Sequence, residues 1–198
     1  MLDLHRQTLR QSVEIAAAIR DDQWDLPTPC AQWTVRQLLD HMVRENRGFA
    51  TAANGETSDL SAWIALVGPD RRAEYAESAR QVVDAFGADG VLERAFWLPL
   101  IRDGVTVPAR QGVSFHLLDY LVHSWDLAVS VGRSPAFGDE LVAAVHEIAV
   151  REVPDGPRRS RPGASFAPAR PVPADAPALD RLLAFLGRDP GFRCGAPR

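Results

Sequence analysis

Apolar positions recur at helical spacing along most of the chain and lose that spacing in one segment. Residues 3–20 put Leu9, Val13, Ala16 and Ala17 on one face, with Asp3 placed to cap the start. Pro27 and Pro29 in LPTPC then exclude a continuing helix. Thr34 and Gln37 form a Thr-x-x-Gln capping box, which opens a second helix through VRQLLDHMVRENRGFATAA. Its apolar face is Val35, Leu38, Leu39, Met42 and Phe49. Residues 70–86 repeat the pattern with Tyr75, Ala79, Val82, Val83 and Phe86. The segment 91–108 breaks it: Arg102-Asp103-Gly104 reads as a turn followed by β-branched residues. That predicts a short extended excursion or hairpin, leading into the next helix and lipping whatever site that helix carries.

The stretch 115–131, FHLLDYLVHSWDLAVSV, is the chain's most unusual. At 100° per residue, His116, Asp119 and His123 form a narrow polar line on a helix that is otherwise apolar nearly all round. Such a helix is buried, so the line is sunk into a helical core. Gly132 and Pro135 supply the stop chemistry. A further helix follows over 138–153, with Leu141, Val142, Val145 and Ile148 inward and His146 exposed or half-buried. Residues 154–178, rich in Pro, Gly, Ala and Arg, should be irregular, before a short helix over 179–186 that closes at Gly187. Four principal helices with short or moderate joins argue for an all-α bundle, whose core is a usual place to assemble ligands from facing helices.

Composition narrows the function classes. The chain has 198 residues, 46% of them hydrophobic, enough for one domain with a sizeable core. A net charge of −4 supplies no basic stripe for nucleic acid. No apolar run reaches membrane-spanning length, and MLDLHRQTLRQ has no signal-peptide core, so a cytoplasmic location is expected. All 22 basic residues are arginine. Cys30 and Cys194 fit neither a zinc spacing nor a disulfide framework.

The chemistry lies with Asp119 and His123. At i and i+4 on one helix face they can converge on one point, and they supply two of the three protein ligands of an open metal site. His41, at the margin of the second helix's apolar face, is the best-placed third, while His5 sits near a terminus expected to fray. Two imidazoles and a carboxylate would leave a divalent ion with an open position. Zinc leads, with nickel, iron and manganese also compatible with that donor set. Asp126, one turn past His123, either accepts a hydrogen bond from the ligating imidazole or pairs with a neighbouring helix. Cys30 is either a reactive thiol near His41 or a buried small hydrophobe.

Three segments in order, PTPCAQWTVRQLLDHMV (27–43), HLLDYLVHSWDLAVSVG (116–132) and ADAPALDRLLAFLGRDP (174–190), resemble the actinobacterial branch of the DinB-like superfamily. That branch includes the mycothiol-dependent maleylpyruvate isomerase metal-binding domain. The resemblance covers nearly the whole chain. It implies a single DinB-like domain over 1–198, with an up-down-down-up four-helix bundle over about 3–132 and extra C-terminal helices over about 133–198. It implies metal ligands at His41, Asp119 and His123, with Asp119 standing where the isomerase uses the longer Glu. His116 would then be an outer residue or an alternative ligand. The implied activity is a metal-dependent, mycothiol-linked thiol transferase or isomerase-like enzyme acting on a small electrophile. Arg44, Arg47 and Arg188 are candidates for the anionic parts of the thiol, or are ordinary solvated charges. A non-catalytic metal- or small-ligand-binding protein and a metal-dependent hydrolase are the competing readings, and a homodimer through an apolar bundle face fits any of them.

Overall fold

The computed structural model describes residues 1–30, 33–102, 104–161 and 164–194. Seven α-helices and one antiparallel hairpin lie among them. Helices α1 (Leu2–Ala17), α2 (Val35–Ala53), α4 (Arg71–Phe86) and α5 (Ala109–Ser130) form the main body. Each packs on two of the others: α2 on α4 and α5, and α1 on α4 and α5. Their shared interior is filled by Leu38, Leu39, Met42, Phe49, Tyr75, Val82, Phe86 and Tyr120, all nearly inaccessible to solvent. No helix among the described residues is long and apolar enough to cross a membrane.

The local chemistry that predicted the elements is in place. The Thr34 hydroxyl accepts from the Gln37 backbone N–H, and the Gln37 side chain accepts from the Thr34 N–H at 2.9 Å. Asp70 caps α4 by accepting from the Ala73 N–H at 3.2 Å. Gly132 takes φ +76 just past α5, a conformation that L side chains resist. Residues 24–30 and 33–34 lie between α1 and α2 as a strap. It is tied by a bridge between Pro27 and Thr34 and by the N–H groups of Val35 and Arg36, which donate to the carbonyls of Leu26 and Trp24. Ala31 and Gln32 of the quoted 27–43 motif lie outside the described residues.

Several elements differ from expectation. Met1, not Asp3, caps α1, and Asp3 instead pairs with Arg6 at 2.8 Å. Helix α1 stops at Ala17, where the chain turns toward the strap. A four-residue helix, α3 (Ser61–Ile64), follows α2 and exists to seat one side chain: the Trp63 ring lies over Gly48 of α2. Helix α5 begins six residues before the predicted start, at Ala109. The hairpin is real: β1 (Ala95–Leu98) pairs with β2 (Val105–Pro108), with Phe96 opposite Val107. Asp103 of the predicted turn lies outside the described residues. The hairpin does not lip the site. Arg94 donates to the Ala53 carbonyl at the end of α2, and Phe96 sits against Gly112 in the first turn of α5. At 1.5 Å per residue, Ala53 is about 18 Å along α2 from His41.

Beyond the main body, α6 (Asp139–Glu152) packs on α5, and α7 (Ala178–Phe185) packs on α6. Leu117, Leu121, Leu141, Val145, Leu182 and Leu186 form the apolar cluster between these three helices. His146 is half-buried, as expected. The described residues between α6 and α7 are irregular apart from one 3₁₀ turn, Pro157–Ser160, yet they are tethered. Arg159, 6% exposed, donates to the carbonyls of Ala167 and Phe185.

Candidate metal centre

Helix α5 carries the centre because almost nothing else on it meets solvent. Nineteen of its twenty-two residues are buried, and the exceptions are Arg110 and Gln111 in the first turn and Asp119. Ser114, Ser124 and Ser130 hide their hydroxyls by donating to carbonyls one turn back. Asp119, with its side chain 30% exposed, is therefore the polar opening in an apolar rod. His123 follows one turn on, and α2 brings His41 from across the interior.

One ligand atom from each of His41, Asp119 and His123 lies within 4.8 Å of the others, the one such triad among the described residues. Both imidazoles turn Nε2 toward the same carboxylate: His123 Nε2 is 3.3 Å from Asp119 Oδ1, and His41 Nε2 is 3.9 Å from Asp119 Oδ2. The rings meet edge to face, with centroids 5.3 Å apart. Two nitrogens and one oxygen at this spacing fit a divalent ion, and a three-residue set leaves a position for a further ligand.

Electrostatics follow from burial and from this crowding. Burial alone would lower His123, but Asp119 and Asp126 on either side outweigh it and hold the imidazole up at about 9. Burial works against Asp119 as well, yet the two histidines keep its carboxyl well below the usual range. His41, farther from the carboxylates, is pushed down to about 4 by burial. A neutral His41 has a free lone pair for a cation.

Behind His123 stands Asp126, whose Oδ2 lies 3.0 Å from Nδ1. Of the two readings open from sequence, the structure favours the imidazole partner, and it adds a second. Arg188, just past α7, reaches Asp126 Oδ2 at 3.1 Å. Burial would raise Asp126, but the charges of Arg188 and His123 hold it low. Arg188 is thus neither a solvated charge nor a group at the site's mouth; it is 6% exposed and spent on Asp126. Arg47 is also engaged, in an ion pair with Glu74 at 2.7 Å. Arg44 is half-buried on α2, where its charge bears on both His41 and Glu45.

His116 and His5 depart from expectation together. His116 faces away from the triad: its ring stacks on Tyr120 with centroids 3.9 Å apart, and its Nδ1 lies 3.0 Å from Nε2 of His5. It is no alternative ligand, because one turn of helix before Asp119 already points between α1 and α4 toward Phe86. His5 does not fray; it is 1% exposed, held between His116 and Phe86. Burial drives His5 down to about 3 and His116 well below its ordinary value.

Two neighbours went unread in the sequence. Trp33, on the strap, lies 4.5 Å from the His41 ring and 6.0 Å from that of His123, centroid to centroid. Glu45 lies one turn past His41 on α2, its side chain 13% exposed and its Oε1 3.9 Å from His41 Nδ1. Burial, with the Asp119 charge adding to it, raises Glu45 to about 8. The His-x-x-x-Glu spacing was the available signal for Glu45; Trp33, in the loop before a cap, gave none. Cys30 on the same strap is half-buried, and burial pushes its thiol up to about 11, which is the state of an inert cysteine.

Residues 5–128 match the model of the mycothiol maleylpyruvate isomerase N-terminal domain. The chain belongs to that family. Proteins with similar sequences include two uncharacterized proteins of Mycobacterium tuberculosis, MT0763 of strain CDC 1551 / Oshkosh and Rv0738 of strain ATCC 25618 / H37Rv. Each is 32% identical over 190 residues, spanning 93% of this chain and 95% of its own. Among solved structures, mycothiol-dependent maleylpyruvate isomerase superposes with a TM-score of 0.58 at 18% identity, and a single-site mutant of that enzyme with 0.59 at 16%. Both cover 78% of this chain and 68% of theirs, a likeness of fold. The DinB-like helical architecture expected from sequence is therefore the observed one.

Proposed function

We propose that this member of the maleylpyruvate isomerase N-terminal domain family is a metal-dependent enzyme that uses a low-molecular-weight thiol, mycothiol, on a small electrophilic substrate. Thiol transfer and thiol-assisted isomerisation are the two reactions in view. The observation that carries the reading is the convergence of His41, Asp119 and His123, with ligand atoms within 4.8 Å of one another and Nε2 of both rings aimed at one carboxylate. A divalent ion bound there, zinc first, supplies a Lewis acid that lowers the pKa of a thiol or water offered to it.

The chain's own residues do the rest. Asp126 fixes the His123 ring by accepting from Nδ1, so that Nε2 is the nitrogen left to a cation that displaces its proton. Arg188 keeps Asp126 ionised for that task. Trp33 lies against His41 and closes one side of the centre with an apolar plane, which limits water and favours a ligand with an apolar part. Asp119, the half-exposed member, marks the side from which a ligand approaches.

The test begins with elemental analysis of tag-free protein beside His41→Ala and His123→Ala. We expect close to one divalent ion per chain in the parent and a large loss in both variants. The loaded parent is then assayed on small electrophiles and cis-configured conjugated acids, with and without mycothiol. Turnover that requires the thiol supports the proposal. Thiol-independent turnover makes the protein a hydrolase, and metal without turnover makes it a binding protein.

A further inference from the structure

We propose that Glu45 is a positioning residue of the metal centre, the outer carboxylate that orients His41 as Asp126 orients His123. The inference rests on the metal reading above and goes beyond it.

His41 and Glu45 are i and i+4 on α2, so their side chains lie over one another on one helix face. Because His41 turns Nε2 to Asp119, its Nδ1 faces the other way, and Glu45 Oε1 stands opposite that atom at 3.9 Å. On α5 the same order recurs: Asp119, then His123 Nε2, then His123 Nδ1, then Asp126 Oδ2 at 3.0 Å. Each imidazole therefore lies between the shared inner carboxylate and an outer one from its own helix.

The surroundings of Glu45 point it toward His41. Its side chain is 13% exposed, and none of the hydrogen bonds among the described residues ends on its carboxylate. Arg47, two residues on, is taken by Glu74, and Arg71 by Asp40 at 2.7 Å. A carboxyl this enclosed is costly unless it meets a donor. The donor facing it is the Nδ1–H that His41 must carry if Nε2 is to serve as ligand. Asp126 has Arg188 as a second partner, whereas Glu45 has no arginine within ion-pair distance among the described residues. The outer carboxylate behind His123 thus has two partners, and the one behind His41 faces a single donor.

Zinc affinity of the tag-free chain, measured by competition with a chromophoric chelator, tests this beside Glu45→Gln and Glu45→Ala. Losing an outer partner of a ligating histidine weakens binding on the order of 10–100-fold, and Glu45→Ala should do so. Glu45→Gln keeps an acceptor oxygen at the same reach and should stay within about threefold of the parent. NMR of the zinc-loaded protein supplies a readout that a packing defect would not move. The His41 Nδ1–H resonance should persist in the parent and Glu45→Gln, and should be lost to fast solvent exchange in Glu45→Ala. An Ala variant with parental affinity and an unchanged resonance overturns the proposal. A Gln variant as weak as Ala also overturns it, because Glu45 would then act through its charge, as a ligand itself. If the parent takes up no zinc, the metal reading falls and this one with it; if the parent binds and the Ala variant binds equally, only this one falls.

Discussion

Asp126 shows how one residue can serve stability and function through different partners. Its two neighbours, His123 and Arg188, are both buried with it. A buried ion pair broken on one side leaves an uncompensated charge, at a cost of up to about 3–5 kcal/mol. Arg188→Met should therefore destabilise the metal-free protein in urea unfolding, by less than that range because the His123 imidazolium stays beside Asp126. Adding Asp126→Asn to it should recover part of the loss, since the carboxylate that lost its guanidinium is gone. Metal affinity should not recover with it, because the carboxylate behind His123 is also gone. The convergence of Asp119 and His123 was legible in the sequence because they keep helical spacing, and Asp126 beside them was legible for the same reason. Arg188 was not: 62 residues separate it from Asp126, and an arginine in a polar tail carries no mark of burial. His5 was misread for a related reason, since nothing local shows that α5 will place His116 over it.

At the scale of elements, boundaries set by caps were readable and those set by packing were not. Thr34, Asp70 and Gly132 each fix an end through backbone chemistry of their own. The first turns of α5, by contrast, contain Gly112, a poor helix former held in the helix where Phe96 of the hairpin packs against it. Helix α3 is the same case in miniature. Four residues would not hold a helix alone, and Trp63 is what holds them, by filling the space that Gly48 leaves on α2. A Cβ at Gly48 would come within 2.2 Å of the indole. Gly48→Ala should therefore cost about 1–3 kcal/mol from overpacking, despite alanine's better helix propensity. Urea unfolding checks the cost, and Trp63 fluorescence should shift to longer wavelength as the ring is displaced. A stabilised variant would mean that Trp63 yields freely.

For the molecule as a whole, two histidines are buried neutral away from the candidate metal centre, and this sets an acid limit. His5 is held down at about 3 when folded against an ordinary value of 6.5. Between those values the unfolded chain binds a proton that the folded chain refuses, so stability is full above about pH 6.5 and falls as pH drops toward 3. The slope is at most about 1.4 kcal/mol per pH unit for one such group. His5→Phe should flatten the pH dependence of unfolding free energy between pH 6 and 4 by up to that amount, whatever it does to stability at pH 7. An unchanged slope would place the acid sensitivity elsewhere, with His116 next to be tested.

The arginine behind Asp126 also imposes an order on the making of the protein. Chains fold progressively as they are synthesised, N-terminal parts first, and His41, Asp119 and His123 all precede Arg188. A nascent chain that has emerged only through α5 holds the three candidate ligands, but its Asp126 carboxylate lacks the Arg188 guanidinium. Completion of the last helix then closes the apolar cluster over α5 and delivers the missing charge in one event. A message cut short before codon 188 would yield a bundle with its candidate ligands present and a buried carboxylate short of one partner.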